Sequence, residues 1–107
     1  MPASEIDFVE PAPSGVVSLS KLAVHLHVQD NVAIAKIPLA AGTLLALEVE
    51  GRPPVHVPVR QFIPDGHKFA LQEISPGQPV RRFGQLIGVA TQAILPGEHV
   101  HTHNLGR

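Results

Sequence analysis

The chain has 107 residues, 44% of them apolar and 16% charged, with a formal net charge of −1 when its seven histidines are neutral. That is enough for one domain with a modest core, and it gives no positive footprint for nucleic acid or an anionic membrane. No apolar run approaches the ~20 residues that span a bilayer. The absence of cysteine excludes disulfides, thiolate metal sites and thiol nucleophiles. Chemistry must therefore come from histidine, carboxylate, Lys and Arg, and the lack of Trp and Tyr argues against an aromatic sugar platform.

The first stretch, MPASEIDFVEPAPSG, is acidic and Pro-rich and lacks the basic start and apolar run of a signal peptide. A cytoplasmic chain is expected. Residues 1–20 read as a poorly ordered arm and residues 21–107 as the ordered domain. In LAVHLHV, Leu22, Val24, Leu26 and Val28 alternate with Ala23, His25 and His27, which predicts a strand. DNVAIAKI extends that pattern, although Ala33 and Ala35 would also allow a helical turn. Short apolar segments then follow at Leu44–Val49, Val55–Val59, Phe69–Leu71, Leu86–Ala90 and His99–Leu105. No long stretch holds a 3.6-residue period, and eleven prolines and nine glycines would break most helices. The pattern predicts an all-β domain of short strands and many turns.

One corner is reused. The spacing apolar-x-x-Gly-x-x-apolar occurs at Leu39–Leu45, Ile74–Val80 and Ile94–Val100. In the last two copies Pro76-Gly77 and Pro96-Gly97 fit the central positions of a type II turn, where Pro fixes the first φ and Gly takes a positive one.

Three histidines stand at alternate positions in GEHVHTHNL. On a strand, His99, His101 and His103 would share a face, with neighbouring Cα atoms roughly 6.5 Å apart and the outer pair roughly 13 Å apart. Two neighbours can meet on one divalent ion; the outer two cannot without strain. The favoured pair is His101 with His103, which leaves His99 as a proton carrier, a substrate contact or a structural residue. A solvated histidine face without a role remains the alternative. His25 and His27 repeat the spacing, with His25 read as a surface residue. Asp30 and Asn31 suit a turn or cap better than a ligand role. Gly66 closes a turn that sets His67 and Lys68 at a strand start, where such a pair can meet a carboxylate. His56 has no assigned role, and Arg81 and Arg82 read as a solvated strand edge. No phosphate loop, dinucleotide fingerprint or nucleophile elbow is present.

Three blocks taken together, HVQDNVAIAKIPLAAGT, GHKFAL and GEHVHTHN, resemble in order the N-terminal SAF domain of the altronate/galactarate dehydratase family over about Leu26 to Leu105. The resemblance implies a β-clip fold and a part in a metal-assisted hydro-lyase acting on sugar acids, with Fe2+ or Mn2+ as the divalent metal. It implies His67 and His101 in catalysis, His27 and Lys68 in substrate binding, and a metal on His101 and His103. It also implies a large catalytic subunit as partner, because so small a domain would not enclose a sugar acid alone. The variant reading is a small subunit of a sulfolactate sulfo-lyase. A reading from another class is a non-catalytic module that binds a sugar acid or assists assembly, and homo-oligomers are compatible with all three.

Overall fold

The computed structural model describes residues 15–107; residues 1–14 of the arm expected over residues 1–20 lie outside the described residues. The first elements of the described residues are β1 (Val16–Ser18) and a single helical turn, α1 (Leu19–Leu22). Leu19 is only 1% exposed, so a core anchor precedes Lys21, where order was expected to begin. Eight of the next nine elements are separated by turns that Gly or Pro supplies or by short irregular segments. They are β2 (Ala23–Val24), β3 (Val32–Ala35), β4 (Leu44–Leu47), β5 (Val55–Pro58), β6 (Lys68–Ala70), β7 (Pro79–Arg82), β8 (Gln85–Ala90), β9 (His99–Val100) and β10 (Leu105–Gly106). The all-β expectation holds.

Three small sheets result, in the orders β9-β6-β3-β2, β10-β8-β7 and β1-β4-β5. All pairings are antiparallel except β1 with β4.

The reused corner explains how these sheets join, and it occurs four times. Ile63-Pro64-Asp65-Gly66-His67-Lys68-Phe69 has the same spacing as the three copies read from the sequence. Leu39 exchanges both backbone hydrogen bonds with Ile63, and Ile74 does the same with Ile94. Within each corner the residue after Gly donates to a carbonyl three residues back, as Gln78 N does to Ser75 O and Glu98 N to Leu95 O. The four glycines have φ of +95° (Gly42), +78° (Gly66), +84° (Gly77) and +85° (Gly97), the conformation that a type II turn asks of its third residue. The amides of these glycines donate to the carbonyl four residues before the start of the partner copy: Gly42 to Val59, Gly66 to Ala35, Gly77 to Ala90 and Gly97 to Ala70. At Gly97 a side chain would also fall onto the Pro58 carbonyl.

Strand alternation splits the interior in two rather than leaving one core. Along β3 and β6, Ala33, Ala35 and Phe69 face one cluster with Leu19, Leu39, Leu45, Val57 and Ile63. Val32 and Ala70 face the other, with Ile74, Val80, Ile94 and Val100. Each cluster contains one of the two paired corners.

Two sequence expectations need correction. The strand over Leu22–Val28 ends at Val24: Asp30 N turns back to His27 O, and Leu26 and Val28 are 70% and 85% exposed. The stretch His99–Leu105 is likewise not one strand. β9 stops at Val100, residues 101–104 form a turn, and β10 resumes at Leu105.

Candidate functional site: a histidine cluster at a corner

The turn that ends β9 is built by one buried residue. Asn104 is 3% exposed, and its amide works at both ends. Its Oδ1 accepts the His101 N–H at 2.9 Å and its Nδ2 donates to the His99 carbonyl at 2.9 Å. The His101 carbonyl accepts from the Asn104 and Leu105 amides. Asn favours such turns because its side chain substitutes for backbone partners. With the chain folded here, strict alternation no longer governs where the imidazoles go.

His67 arrives from the corner Ile63–Phe69. Because β9 pairs with β6 in the register His99↔Phe69, His99 and Phe69 share a face, and His67, two residues before Phe69, lies diagonally across from His99. The Nδ1 of His67 is 2.9 Å from the Nε2 of His99, hydrogen-bonding distance in which one ring nitrogen must carry the proton. The His101 ring stacks on both, with centroids 4.7 Å from His67 and 5.3 Å from His99. One nitrogen from each of His67, His99 and His101 can be chosen so that all lie within 4.8 Å of one another. His103 flanks the group, its ring 5.8 Å from His99 and tilted by 44°. The His99 main chain is fixed as well, since its N–H donates to Gln61 Oε1.

Burial holds the His99 imidazole below its usual pKa, and the neighbouring His67, His101, His103 and Lys68 add to the shift by charge repulsion. The group is thereby kept neutral and able to donate a nitrogen lone pair to a metal or a proton.

The sequence reading paired His101 with His103 on the assumption of a continuous strand. The structure instead brings His67, His99 and His101 together and leaves His103 at the rim. His99, the least assigned of the set, is its most connected member. Only the tertiary pairing of β9 with β6 reveals this; the corner spacing around Gly66, which places His67, was readable.

His27 lies elsewhere. Its Nδ1 accepts the Gln29 N–H at 3.1 Å, and its ring covers Gly84 at the tip of the β7–β8 hairpin. His25 contacts the Asp30 carbonyl through Nε2. Asp30 and Asn31 have the structural role expected of them, but for a distant segment rather than a local cap. The Asp30 carboxylate accepts the Phe83 and Gly84 amides at 2.8 Å each, where both residues have positive φ in a two-residue hairpin turn. Asn31 accepts from Arg81 N and donates to Pro79 O. Lys68 is in β6 but, by alternation, on the opposite face from His67 and Phe69.

An all-β domain joined by repeated Gly corners is the arrangement that the SAF resemblance implied. The family model of the altronate/galactarate dehydratase SAF domain matches residues 21–107, and the chain belongs to that family. Among curated proteins it is similar to altronate dehydratase of Escherichia coli K12, 41% identical over 81 residues. Altronate dehydratase of Bacillus subtilis 168 is 38% identical over 81 residues. Each match covers 76% of this chain but 15% of the relative, so the chain spans a small part of those enzymes. A third similarity is to the (2R)-sulfolactate sulfo-lyase subunit alpha of Chromohalobacter salexigens, 40% identical over 47 residues, which is 44% of this chain and 50% of that subunit. No helix among the described residues is long and apolar enough to cross a membrane.

Proposed function

We propose that this chain supplies the histidine-bearing part of the active site of a sugar-acid hydro-lyase, and that a larger chain completes the site. The observation that carries this reading is the convergence of His67, His99 and His101 from two separate segments onto one surface. Three nitrogen ligands gathered by tertiary structure are not what a random solvated face presents.

A divalent cation fits this set. Three imidazole nitrogens within 4.8 Å of one another are the donor set that such an ion would use. Imidazole suits iron better than manganese, which prefers oxygen ligands. His67, His99 and His101 would hold the ion, which would supply positive charge for an enediolate-like intermediate and a leaving hydroxyl. The depressed pKa of His99 keeps it in the ligating form. His103, exposed beside the set, is placed to move a proton: it takes the hydrogen next to the carboxylate, and that proton leaves with the β-hydroxyl as water. His27 and Lys68 lie outside this group, and the proposal does not depend on them.

The test is turnover of altronate or galactarate by this chain purified with its larger partner. Replacing His67, His99 or His101 by Ala should lower kcat by roughly a hundredfold or more while the chain stays folded by circular dichroism. Unchanged turnover in all three variants would remove the catalytic assignment and leave an assembly role. A second reading is favoured by the similarity to the sulfo-lyase subunit: the same site with a sulfonate leaving group. Sulfite release from sulfolactate, without dehydration of either sugar acid, would select it.

A further inference from the structure

On the opposite face of β6 from His67, Lys68 opens onto a groove of about 520 Å³. Lys68, Arg82 and Arg107 line it together with Leu86, Val89 and Leu105, and among the described residues no Asp or Glu side chain lines it. Burial, then repulsion from Arg82 and Arg107, pushes the Lys68 ammonium below the usual lysine range. The three cations are thus near enough to oppose one another, and no acidic side chain among the described lining residues offsets them. The Nε of Arg82 is buried without a hydrogen-bond partner, a donor that costs stability unless something fills it.

The same groove runs beside an open sheet edge. β10 pairs with Ala90 and Val89 of β8, so residues 85–88 have no strand partner on that side among the described residues. A register shift opposite Val80 and Arg81 bulges β8 there, and Leu86 is 57% exposed. A polyhydroxy acid would find few partners for its hydroxyls on this apolar floor. An extended polypeptide satisfies every element at once: main-chain groups for the edge, apolar side chains for Leu86 and Val89, carboxylates for the cations.

We propose that this groove docks an extended acidic segment of a partner polypeptide, its backbone paired along residues 85–88 and its carboxylates on Lys68, Arg82 and Arg107. The inference does not rest on the histidine cluster.

The test is a titration of the whole 15N-labelled chain, at low salt, with a synthetic peptide that alternates Glu and Val. A Lys/Val peptide of the same length and free glutarate are the controls. The acidic peptide should give saturable amide shifts at residues 85–88, Lys68 and Arg107, and these should weaken as salt rises. Affinity should fall roughly tenfold in a Lys68→Met/Arg82→Met variant. Should that variant fail to fold, Arg107→Met at the exposed C-terminal position should still weaken binding several-fold. Equal shifts from glutarate alone would make this a small-molecule carboxylate site, and equal shifts from the basic peptide, or shifts confined to other surfaces, would show that the edge is not read by charge. Either result overturns the proposal. Cobalt binding at the histidine cluster should be unchanged in the Arg107→Met variant, so that the two readings fail separately.

Discussion

Two regions of this molecule carry histidines at i and i+2, and they meet opposite fates. His25 and His27 follow a strand that has already ended, and each is absorbed by nearby backbone: His25 by the Asp30 carbonyl, His27 by the Gln29 amide. His99 and His101 flank a strand end that Asn104 folds into a turn, and there a third imidazole is delivered from the corner at Gly66. Alternation alone therefore gathers nothing. What makes a cluster is a clamp that bends the chain and a neighbouring element that brings one more side chain to the same face.

The four corners sharpen the lesson. At the position after Gly, three copies use the side chain to clasp their own turn: Thr43 donates to the Ala40 carbonyl, Gln78 accepts from Ser75 N, and Glu98 accepts from Leu95 N. In the fourth copy that position is His67, whose imidazole is turned to His99 instead. One corner in the set has given up its local clasp for a tertiary contact.

The comparison can be broken from the largest effect to the smallest. Gly97→Ala should do most damage. It places a side chain at φ +85° and against the Pro58 carbonyl, in the corner that leads into His99, and should cost about 3 kcal/mol in urea unfolding. Next, Asn104→Ala removes both amide bonds of the clamp and leaves buried backbone groups unpaired, for a loss of about 2 kcal/mol. Its more telling consequence is that the His99 and His101 imidazole signals should lose their mutual ring-current shifts in NMR. Asp30→Asn weakens two charge-assisted bonds to the hairpin tip and should cost about 1–2 kcal/mol, yet leave the cluster signals in place. That result would show the two histidine regions to be held by independent devices.

The smallest effect is on pH dependence. The usual imidazole value is 6.5, and His99 is held below it in the folded chain. Above that pH both folded and unfolded chains carry neutral His99, and it contributes nothing. As pH falls below it, the unfolded chain takes up the proton first, so stability should decline until the depressed folded value is passed. His99→Gln should flatten the urea-midpoint profile where the pH falls below 6.5.

Much of the scaffold was legible from residue chemistry. Gly, with Pro before it in two copies, announced three of the corners because it fits the positive φ needed, and β3, β4, β5 and β8 fell where short Val, Ile and Leu runs lie. The fourth corner, Ile63–Phe69, has the same spacing and was open to the same reading. The cluster was harder. A period of two is a property of extended backbone, and the Asn in HTHN, a turn residue, was the local sign that the period would end at His101. That His67 would meet His99 depends on the register of β9 against β6, a pairing across 32 positions that no local pattern encodes.

The central claim is that folding, not spacing, builds the cation site. The most direct measurement is a Co2+ titration of the whole chain followed by visible absorption, comparing His67→Ala with a His25→Ala/His27→Ala variant. The account predicts one cobalt per wild-type chain, affinity lowered by at least about tenfold in His67→Ala, and no change in the double variant. Cobalt affinity that survives the loss of His67, or that vanishes with His25 and His27, would contradict it.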